Sequence, residues 1–371
     1  MEIAPPPLDQ DACYRAVLTR DARFDGRFFG CVKTTGIYCR PVCPARTPLR
    51  QNMIFVVTAA AAEEAGFRAC LRCRPETAPD MGAWRGTSSS VSRALALIEA
   101  GALDAGAGHG GTTEALAARL GMGDRHLRRL FRQHLGAAPV SVAQTRRVLL
   151  AKTLLHQTDL SMSEVALASG FGSVRRFNET FQALYGRPPS SLRRGGERSG
   201  PTGGIALSLP YRPPYDWDGM IAALTGRGDA VEGGRWFRSL SLAIDGTEGQ
   251  VSVGHRTEGQ LNLRVEVADL RALPGVLARV RRVFDLSADP EAIGRDLSAD
   301  PLLAPLVAAR PGLRLPGDWI DTHVDAPNDR LADDALTLRA EGWRPWRAYA
   351  ERHLRLGGII ITEDDHGRCA A

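Results

Sequence analysis

Two spacings of apolar residues occur along the chain, and they predict different secondary structure. Between about Val91 and Arg194, apolar positions recur every three or four residues, as at Leu116 and Leu120, which is the spacing of amphipathic helices. Beyond Gly204 the pattern changes to short runs of alternating apolar and polar residues, which predict strands. These runs are Ser239–Asp245, Gln250–Gly254 and Gln260–Val267. The helical spacing then returns.

Stretches rich in Gly, Pro, Ser and Thr separate these patterns and mark two expected linkers, Arg74–Ser90 and Arg193–Gly204. We therefore expect an α+β multidomain protein. Its expected parts are residues 1–80, 88–195, 204–285 and 286–371. The first part carries clustered cysteines, the second is all α-helical, the third contains an antiparallel sheet, and the fourth is helical.

Composition narrows the class of protein. The chain has 371 residues, seven of them cysteine, and its start, MEIAPPPLDQ, lacks the basic flank and apolar run of a signal peptide. No apolar run approaches the roughly 20 residues that a membrane helix needs. We expect a cytoplasmic protein with reduced thiols and no membrane association. The net charge of +5 is compatible with nucleic-acid binding but does not establish it.

Four cysteines form two closely spaced pairs, Cys39 with Cys43 and Cys70 with Cys73. Pairs at such spacing, separated by a segment that can fold between them, are typical of a four-thiolate zinc site. A purely structural zinc site and four free buried cysteines remain the alternatives, and spacing does not distinguish zinc from iron. The other three cysteines lack such partners and are expected to be small apolar residues. They are Cys13, Cys31 and Cys369.

The residues around both pairs resemble the N-terminal domain of the Ada family of DNA alkylation-response proteins. The resemblance lies in Lys33–Cys43 and Phe67–Cys73. In that family the first cysteine of the cluster accepts a methyl group from an S-configured methylphosphotriester in DNA. The resemblance therefore implies that Cys39 is the nucleophile and that all four cysteines bind one Zn²⁺. The implied enzyme is a single-turnover methylated-DNA cysteine S-methyltransferase.

This chemistry is consistent with the physical properties of the site. A zinc-bound cysteine is a thiolate at neutral pH, and the thioether formed by methylation is stable, so each chain reacts once. Four thiolates with Zn²⁺ carry a charge of about −2, and methylation halves it, which is expected to raise DNA affinity. Flanking arginines are candidates for phosphate contacts, with two threonines added by the resemblance. These residues are Arg40, Arg46, Arg68, Arg72, Thr34 and Thr35.

Two helix-turn-helix units are predicted in the second part. The turns lie at residues 121–123 and 169–172, a helix over Val142–His156 joins the units, and Asp124 is expected to cap the helix after the first turn. Candidate DNA contacts occupy the first turns of the two recognition helices. They are Arg125, His126, Arg128, Arg129, Ser173, Arg175, Arg176 and Asn178. The tandem arrangement resembles the AraC family of transcription regulators. His126 and His134 are expected at the surface.

Blocks in the remaining chain resemble the 3-methyladenine DNA glycosylase II family, which is also called AlkA-like. They are Leu209–Met220, Ala278–Pro290, Arg310–Gly317 and Ala340–Leu354. Between Gly317 and Trp343, however, the sequence is too short for the helix-hairpin-helix core that the resemblance requires. Asp334 is the only candidate for the catalytic aspartate, and it can equally be a helix cap. We expect glycosylase activity to be lost with the walls of the base-flipping pocket.

The sequence thus predicts a DNA repair methyltransferase that is also a methylation-activated transcription activator. Its expected partners are alkylated and promoter double-stranded DNA and RNA polymerase. Two alternatives remain open, a DNA glycosylase that removes alkylated purines and a transcription factor with structural zinc.

Overall fold

The computed structural model describes residues 8–79, 89–104, 111–193, 204–320, 339–340 and 342–358. Much of each expected linker lies outside these residues, as do Asp334 and Cys369. Within the described residues, no helix is both long enough and apolar enough to cross a membrane.

The first part is built on a four-stranded sheet. Its strands are β1 (Phe29–Val32), β2 (Ile37–Cys39), β3 (Met53–Val56) and β4 (Arg68–Ala69). The order is β3-β1-β2-β4, with antiparallel pairing except between β2 and β4, which are parallel. Helices α1 (Gln10–Thr19) and α2 (Ala59–Glu64) pack against this sheet, and side-chain oxygens cap their N-termini.

The second part is helical, as the apolar spacing predicts. Its helices are α3 (Ser89–Glu99), α4 (Thr113–Arg119), α5 (Asp124–Leu135), α6 (Pro139–Gln157), α7 (Met162–Ala168) and α8 (Val174–Tyr185). Helices α4 and α5 form the first helix-turn-helix unit, and α7 and α8 form the second. Gly121 in the first turn has a φ of 69°, a conformation that favours glycine.

The third part contains a five-stranded antiparallel sheet. Its elements are β5 (Ile205–Pro210), α9 (Trp217–Gly226), β6 (Ala230–Glu232), β7 (Arg235–Leu240), α10 (Leu242–Asp245), β8 (Gly249–Thr257), β9 (Gln260–Val267) and α11 (Leu273–Val283). The strand order is β5-β9-β8-β7-β6. Strand β9 has the predicted bounds, and β8 includes the predicted Gln250–Gly254.

The predicted strand over Ser239–Asp245 is wrong in its second half, where the chain forms the short helix α10. Asp245 lies inward, and its carboxylate accepts hydrogen bonds from Trp319 Nε1 at 2.8 Å and from Arg279 Nη1 at 2.7 Å. These contacts favour the helical turn, and Gly246, with a φ of 70°, ends it. Distant partners therefore override the alternating pattern of the sequence.

The described residues after α11 include the short helices α12 (Pro290–Leu297), α13 (Ala304–Ala309) and α14 (Arg347–Leu356). Trp343 and Trp346 are buried among them, and their indole N–H groups donate to Asp300 and Asp296 at 2.8 and 2.9 Å. The two tryptophans therefore lie in a packed core with satisfied hydrogen-bond donors.

Helix α6 is the element that joins the parts. It packs against α2 of the first part, against its own helical neighbours, and against strand β5 of the third part. The side chain of Gln157, at the end of α6, accepts a hydrogen bond from the Ser208 backbone N–H at 2.8 Å. Helix α6 therefore supplies a hydrogen-bond partner to a backbone group of the edge strand β5. The second helix-turn-helix unit and the sheet of the third part share one hydrophobic core.

Candidate metal centre and DNA-binding helices

The four paired cysteines meet in one cluster. The sulfur atoms of Cys39, Cys43, Cys70 and Cys73 all lie within 4.8 Å of one another. Cys39 is half-buried, whereas the other three are buried. Two sulfur pairs that are distant in sequence therefore form one four-thiol site.

The sheet explains how the pairs meet. Strands β2 and β4 run parallel, with Tyr38 paired to Ala69, so Cys39 and Cys70 follow at the same end of neighbouring strands. The Cys70 backbone N–H donates to the Tyr38 carbonyl at 3.0 Å. Each strand thus delivers the first cysteine of a pair, and the turn that follows brings the second.

Arg40 connects the two cysteine loops. Its backbone N–H lies 3.4 Å from Cys73 Sγ, and its Nη1 donates to the Cys73 carbonyl at 3.2 Å and to Thr77 Oγ1 at 2.7 Å. Its Nε donates to Asp25 Oδ1 at 2.8 Å, and Nη2 bonds to the second oxygen of that carboxylate. A buried carboxylate therefore already binds the Arg40 guanidinium, and a contact of Arg40 with DNA phosphate stays a prediction.

The electrostatics of the cluster differ from those of ordinary buried cysteines. Burial raises the pKa of Cys31 to about 12 and that of Cys13 to about 11, so both are inert thiols at neutral pH, as expected. In the cluster, the hydrogen bond from Cys39 lowers the pKa of Cys43 to about 7 and also lowers the pKa of Cys70. The same hydrogen bonds, to Cys43 first, raise the pKa of Cys39 in the metal-free cluster. The clustered sulfurs thus stabilise the anionic form of some of their own members.

Backbone amides distinguish the four sulfurs further. The amides of Arg40 and Arg72 donate to the sulfurs of Cys73 and Cys70, each at 3.4 Å. Among the hydrogen bonds of the described residues, no backbone amide donates to Cys39 Sγ. A hydrogen bond to a thiolate stabilises its charge and lowers its nucleophilicity, and Cys39 accepts neither of these two hydrogen bonds. Cys39 is also the most exposed of the four cysteines.

This donor set fits one zinc ion. Four thiolates about 2.3 Å from a single Zn²⁺ in tetrahedral geometry are about 3.8 Å apart, which agrees with sulfur atoms that all lie within 4.8 Å. The three-residue and two-residue intervals within the pairs also match ligand spacings of structural zinc sites. The residues present are therefore those that a four-cysteine zinc centre needs.

The other candidate contacts around the cluster differ in exposure. Thr34 and Thr35 are exposed in the turn between β1 and β2, where Gly36 has a φ of 64°. Arg46 and Arg72 are exposed, and Arg68 is half-buried. The threonines and the exposed arginines are therefore accessible to a ligand.

The predicted DNA contacts on the first recognition helix, α5, differ in whether their side chains already bond to other residues. Arg125 and His126 are exposed, and Arg129 Nη2 lies 3.1 Å from His126 Nδ1. Arg128 bonds instead to Asp124 at 3.0 Å and to α4, so it braces the turn. Asp124 was expected to cap α5, but Gly123 occupies the cap position and the Asp124 carboxylate binds Arg128.

The second recognition helix, α8, has a different N-terminus. Ser173 caps it by accepting a hydrogen bond from the Arg176 N–H at 3.2 Å. The side chains of Arg175, Arg176 and Asn178 are all exposed, and Arg175 also pairs with Glu179 at 2.8 Å on the surface. The predicted residues of α5 and α8 thus include both structural residues and side chains open to a ligand.

His134 is not at the surface. It is 1% exposed and lies in the core of the first helix-turn-helix unit, whereas His126 is exposed as expected. The amphipathic pattern of α5 contains the reason, because His134 is seven residues after Leu127 and therefore lies on the same buried face.

Sequence reasoning missed three buried carboxylates near the cluster, Asp25, Glu63 and Glu76. Glu63 accepts hydrogen bonds from Tyr38 at 3.0 Å and from Thr145 of α6 at 2.6 Å. No local pattern marks these residues, because their partners are distant in the sequence. In α2, Glu63 directly follows four alanines, and this position beside an apolar run is the only signal that could have indicated its burial.

Comparison with protein-family models identifies the parts. The model for the metal binding domain of Ada matches residues 12–76, which contain all four clustered cysteines and support one Zn²⁺ there. A helix-turn-helix domain model matches residues 116–195, and the AlkA N-terminal domain model matches residues 206–320. The chain therefore combines Ada-like and AlkA-like regions.

Several curated relatives share this organisation in part. A protein of Mycobacterium tuberculosis (strain H37Rv), described as a probable bifunctional transcriptional activator/DNA repair enzyme AlkA, is 40% identical over 317 residues. The match covers 83% of this chain and 62% of the relative, so the chain spans less than two thirds of that protein. The Ada protein of Escherichia coli K12 is 34% identical over 190 residues, which are 51% of each chain.

A solved structure, the DNA methyl phosphotriester repair domain of E. coli Ada, is 48% identical and covers 19% of this chain and 77% of that one, with a TM-score of 0.18. The bifunctional transcriptional activator/DNA repair enzyme AdaA of Bacillus subtilis (strain 168) is 30% identical over 186 residues. That match covers 50% of this chain and 82% of AdaA. The chain belongs to the Ada family of bifunctional transcriptional activator/DNA repair proteins, with an AlkA-like region after its helix-turn-helix part.

Proposed function

We propose that this protein responds to DNA alkylation damage by accepting a methyl group from a DNA methylphosphotriester on Cys39, irreversibly, and then activates transcription through its helix-turn-helix part. The observation that carries the proposal is the four-thiol cluster in which Cys39 is the most exposed sulfur. The match to the metal binding domain of Ada and the descriptions of the relatives as activators and repair enzymes support both halves.

The transfer is a single displacement. The Cys39 thiolate attacks the methyl carbon of the triester, the new S–C bond forms as the O–CH₃ bond breaks, and the bond's electron pair leaves on the phosphodiester oxygen. The zinc ion supplies the chemistry of keeping the cysteines as thiolates at neutral pH. Cys43, Cys70 and Cys73 hold the site in place, and no group in this balance regenerates Cys39.

The charge change provides the link to regulation. A four-thiolate site with one divalent cation carries about two negative charges and repels the DNA backbone, and methylation of Cys39 removes one of them. Thr34, Thr35, Arg46, Arg68 and Arg72 are the proposed phosphate contacts of the repair part. Because neutralised repulsion adds to these contacts, the methylated protein binds DNA more tightly.

The helix-turn-helix part supplies the sequence-specific contacts. The exposed residues of α5 and α8 are placed in successive stretches of the major groove in our proposal. Arg125, His126, Arg129, Arg176 and Asn178 read bases or phosphates there, whereas Arg128, Ser173 and Arg175 hold the recognition helices. We also propose that the bound protein contacts RNA polymerase and acts in the cytoplasm.

The DNA product provides the test. An oligonucleotide with one methylphosphotriester of defined configuration is mixed with an excess of the zinc-loaded protein, and its mass is followed. The S-configured ester is expected to lose its methyl group completely, and the R-configured ester is expected to persist. Persistence of both esters in folded, zinc-bound protein would overturn the proposal.

A further inference from the structure

The AlkA-like region contacts the first part close to the methyl-acceptor cluster. Arg212 follows strand β5, and its buried side chain donates from Nη2 to the Asp25 carbonyl at 3.1 Å. Gly26, which follows Asp25, has a φ of 75°. A Cβ at this position would lie 3.2 Å from Arg212 Nη2 and 2.4 Å from the Pro79 carbonyl oxygen. The guanidinium therefore packs directly on the backbone of residues 25 and 26.

Asp25 also contacts Arg40, the residue next to Cys39. Its carboxylate, 9% exposed, binds the Arg40 guanidinium through both oxygens. Arg40 is adjacent to Cys39 and also bonds to Cys73 through its backbone and its side chain. The separation between the loop of Cys39 and the loop of Cys73 thus depends on where Asp25 holds Arg40.

Hydrogen bonds within the AlkA-like region also hold the backbone around Arg212 in place. Arg314, 1% exposed, donates to the Arg212 carbonyl, to the Pro214 carbonyl at 3.1 Å and to the Ala288 carbonyl at 3.1 Å. Its guanidinium lies 4.7 Å from the centre of the Tyr215 ring. A series of buried and partly buried hydrogen bonds therefore runs from the AlkA-like core to a cysteine of the metal centre.

We propose that Arg212 is a positioning residue for methyl transfer, and that the AlkA-like region serves the repair reaction by fixing the two cysteine loops through Asp25 and Arg40. The effect on rate rests on the function proposed above. Partners that orient metal ligands from outside the ligand set typically contribute 10–100-fold in metal affinity or activity. A small displacement of the nucleophile from its line of attack has a comparable cost.

The experiment compares variants of the full-length protein that break different contacts between the same two parts. Arg212→Gln removes the guanidinium from the Asp25 carbonyl, and Arg212→Lys restores one donor. Arg27→Gln is the matched control, because the Arg27 guanidinium pairs with Asp289 across the same interface. Asp25→Asn leaves the Asp25 carbonyl in place but weakens the ion pair of its carboxylate with Arg40, so it tests the next contact in the series if Arg212→Gln does not fold.

Two properties are measured, the rate of zinc release to a chelator and the single-turnover rate of methyl transfer. In Arg212→Gln, zinc release is expected to be about tenfold faster and methyl transfer about tenfold slower, with DNA affinity unchanged. Arg212→Lys is expected to recover part of both changes, and Arg27→Gln is expected to match the wild type. Cobalt substituted for zinc should show an altered absorption spectrum in Arg212→Gln alone.

Wild-type rates of both processes in Arg212→Gln and Asp25→Asn would overturn the inference. Equal effects in Arg27→Gln would also overturn it, because docking in general, rather than Arg212, would then be responsible. If the wild type transfers no methyl group, the proposed function fails, and zinc release and the cobalt spectrum still decide whether Arg212 positions the cluster.

Discussion

Lys152 Nζ lies 2.7 Å from Glu76 Oε2, and both side chains are completely excluded from solvent. The pair joins the turn after the cysteine cluster to helix α6 of the helix-turn-helix part. Burial alone raises the pKa of Glu76, but the Lys152 ammonium and Arg74 more than offset this, and the pKa is lowered. A second buried contact, from Thr145 to Glu63, lies along the same helix. A buried ion pair and a hydrogen bond thus join the metal-binding part to helix α6 of the helix-turn-helix part.

Breaking this ion pair is expected to be costly, and the two single variants are expected to differ. Glu76→Gln leaves the Lys152 ammonium buried without its anion, which typically costs about 3–5 kcal/mol. Lys152→Met costs less, because Glu76 keeps Arg74 at 3.3 Å. Urea unfolding followed by circular dichroism measures both. Equal stability of Glu76→Gln and the wild type would show that the pair does not form.

The second buried carboxylate gives a pH dependence of opposite sign. Burial raises the pKa of Glu63, although hydrogen bonds from Thr145 and Tyr38 partly offset the change. The folded protein therefore binds this proton at a pH where the unfolded chain has lost it, and the contribution to stability falls as pH rises above about 4.5.

Glu63→Gln removes that pH dependence while keeping an acceptor for Tyr38. The variant is expected to be more stable than the wild type at neutral pH, with a difference that shrinks as the pH approaches about 4.5. Thermal unfolding between those two pH values measures the difference. A gap that is constant with pH would mean that Glu63 does not titrate in this range.

Metal removal tests the cluster as a structural unit. The β2–β4 pairing that brings the cysteine loops together is only two residues long, so we expect the first part to depend on its metal. Cys43→Ser is expected to lose zinc and near-ultraviolet circular dichroism from this part, whereas Cys31→Ala, a matched buried cysteine, is expected to keep one zinc per chain. Metal analysis by mass spectrometry decides between them.

The recognition helix α8 offers a matched pair of arginines. Both are exposed, but Arg175 also pairs with Glu179 at 2.8 Å. Arg176→Ala is expected to weaken DNA binding and to reduce the slope of log affinity against log salt by about 1, whereas Arg175→Ala is expected to have a smaller effect. Fluorescence anisotropy over a series of salt concentrations gives both slopes. The reverse ranking would place the DNA elsewhere on this helix.

Patterns with local causes were predictable from the sequence. The spacing of Cys39, Cys43, Cys70 and Cys73 indicated a shared metal, and the structure brings these sulfurs together. Helices α5 and α8 follow from apolar periodicity and turn glycines. The residues that determine each cysteine pair, and each helix, lie within a few positions of one another.

Features with distant causes were not predictable. Arg40 has the appearance of a phosphate ligand beside Cys39, but Asp25 binds it from 15 residues away. The bend of the chain at Asp245 depends on Trp319, 74 residues later. Local sequence patterns contain no information on such distant pairs. The same holds for buried ion pairs between different parts of the chain, such as Glu76 with Lys152.

The methylation of Cys39 itself is the most direct test. Zinc-loaded protein is mixed with DNA that carries one S-configured, ¹³C-labelled methylphosphotriester, and intact mass and peptide mapping are used to locate the label. We predict one labelled methyl group per chain, on Cys39, and none in Cys39→Ser, whose transfer should fail even where zinc remains bound. An unlabelled wild-type protein that is folded and zinc-bound would contradict the account and leave the cluster with a structural role.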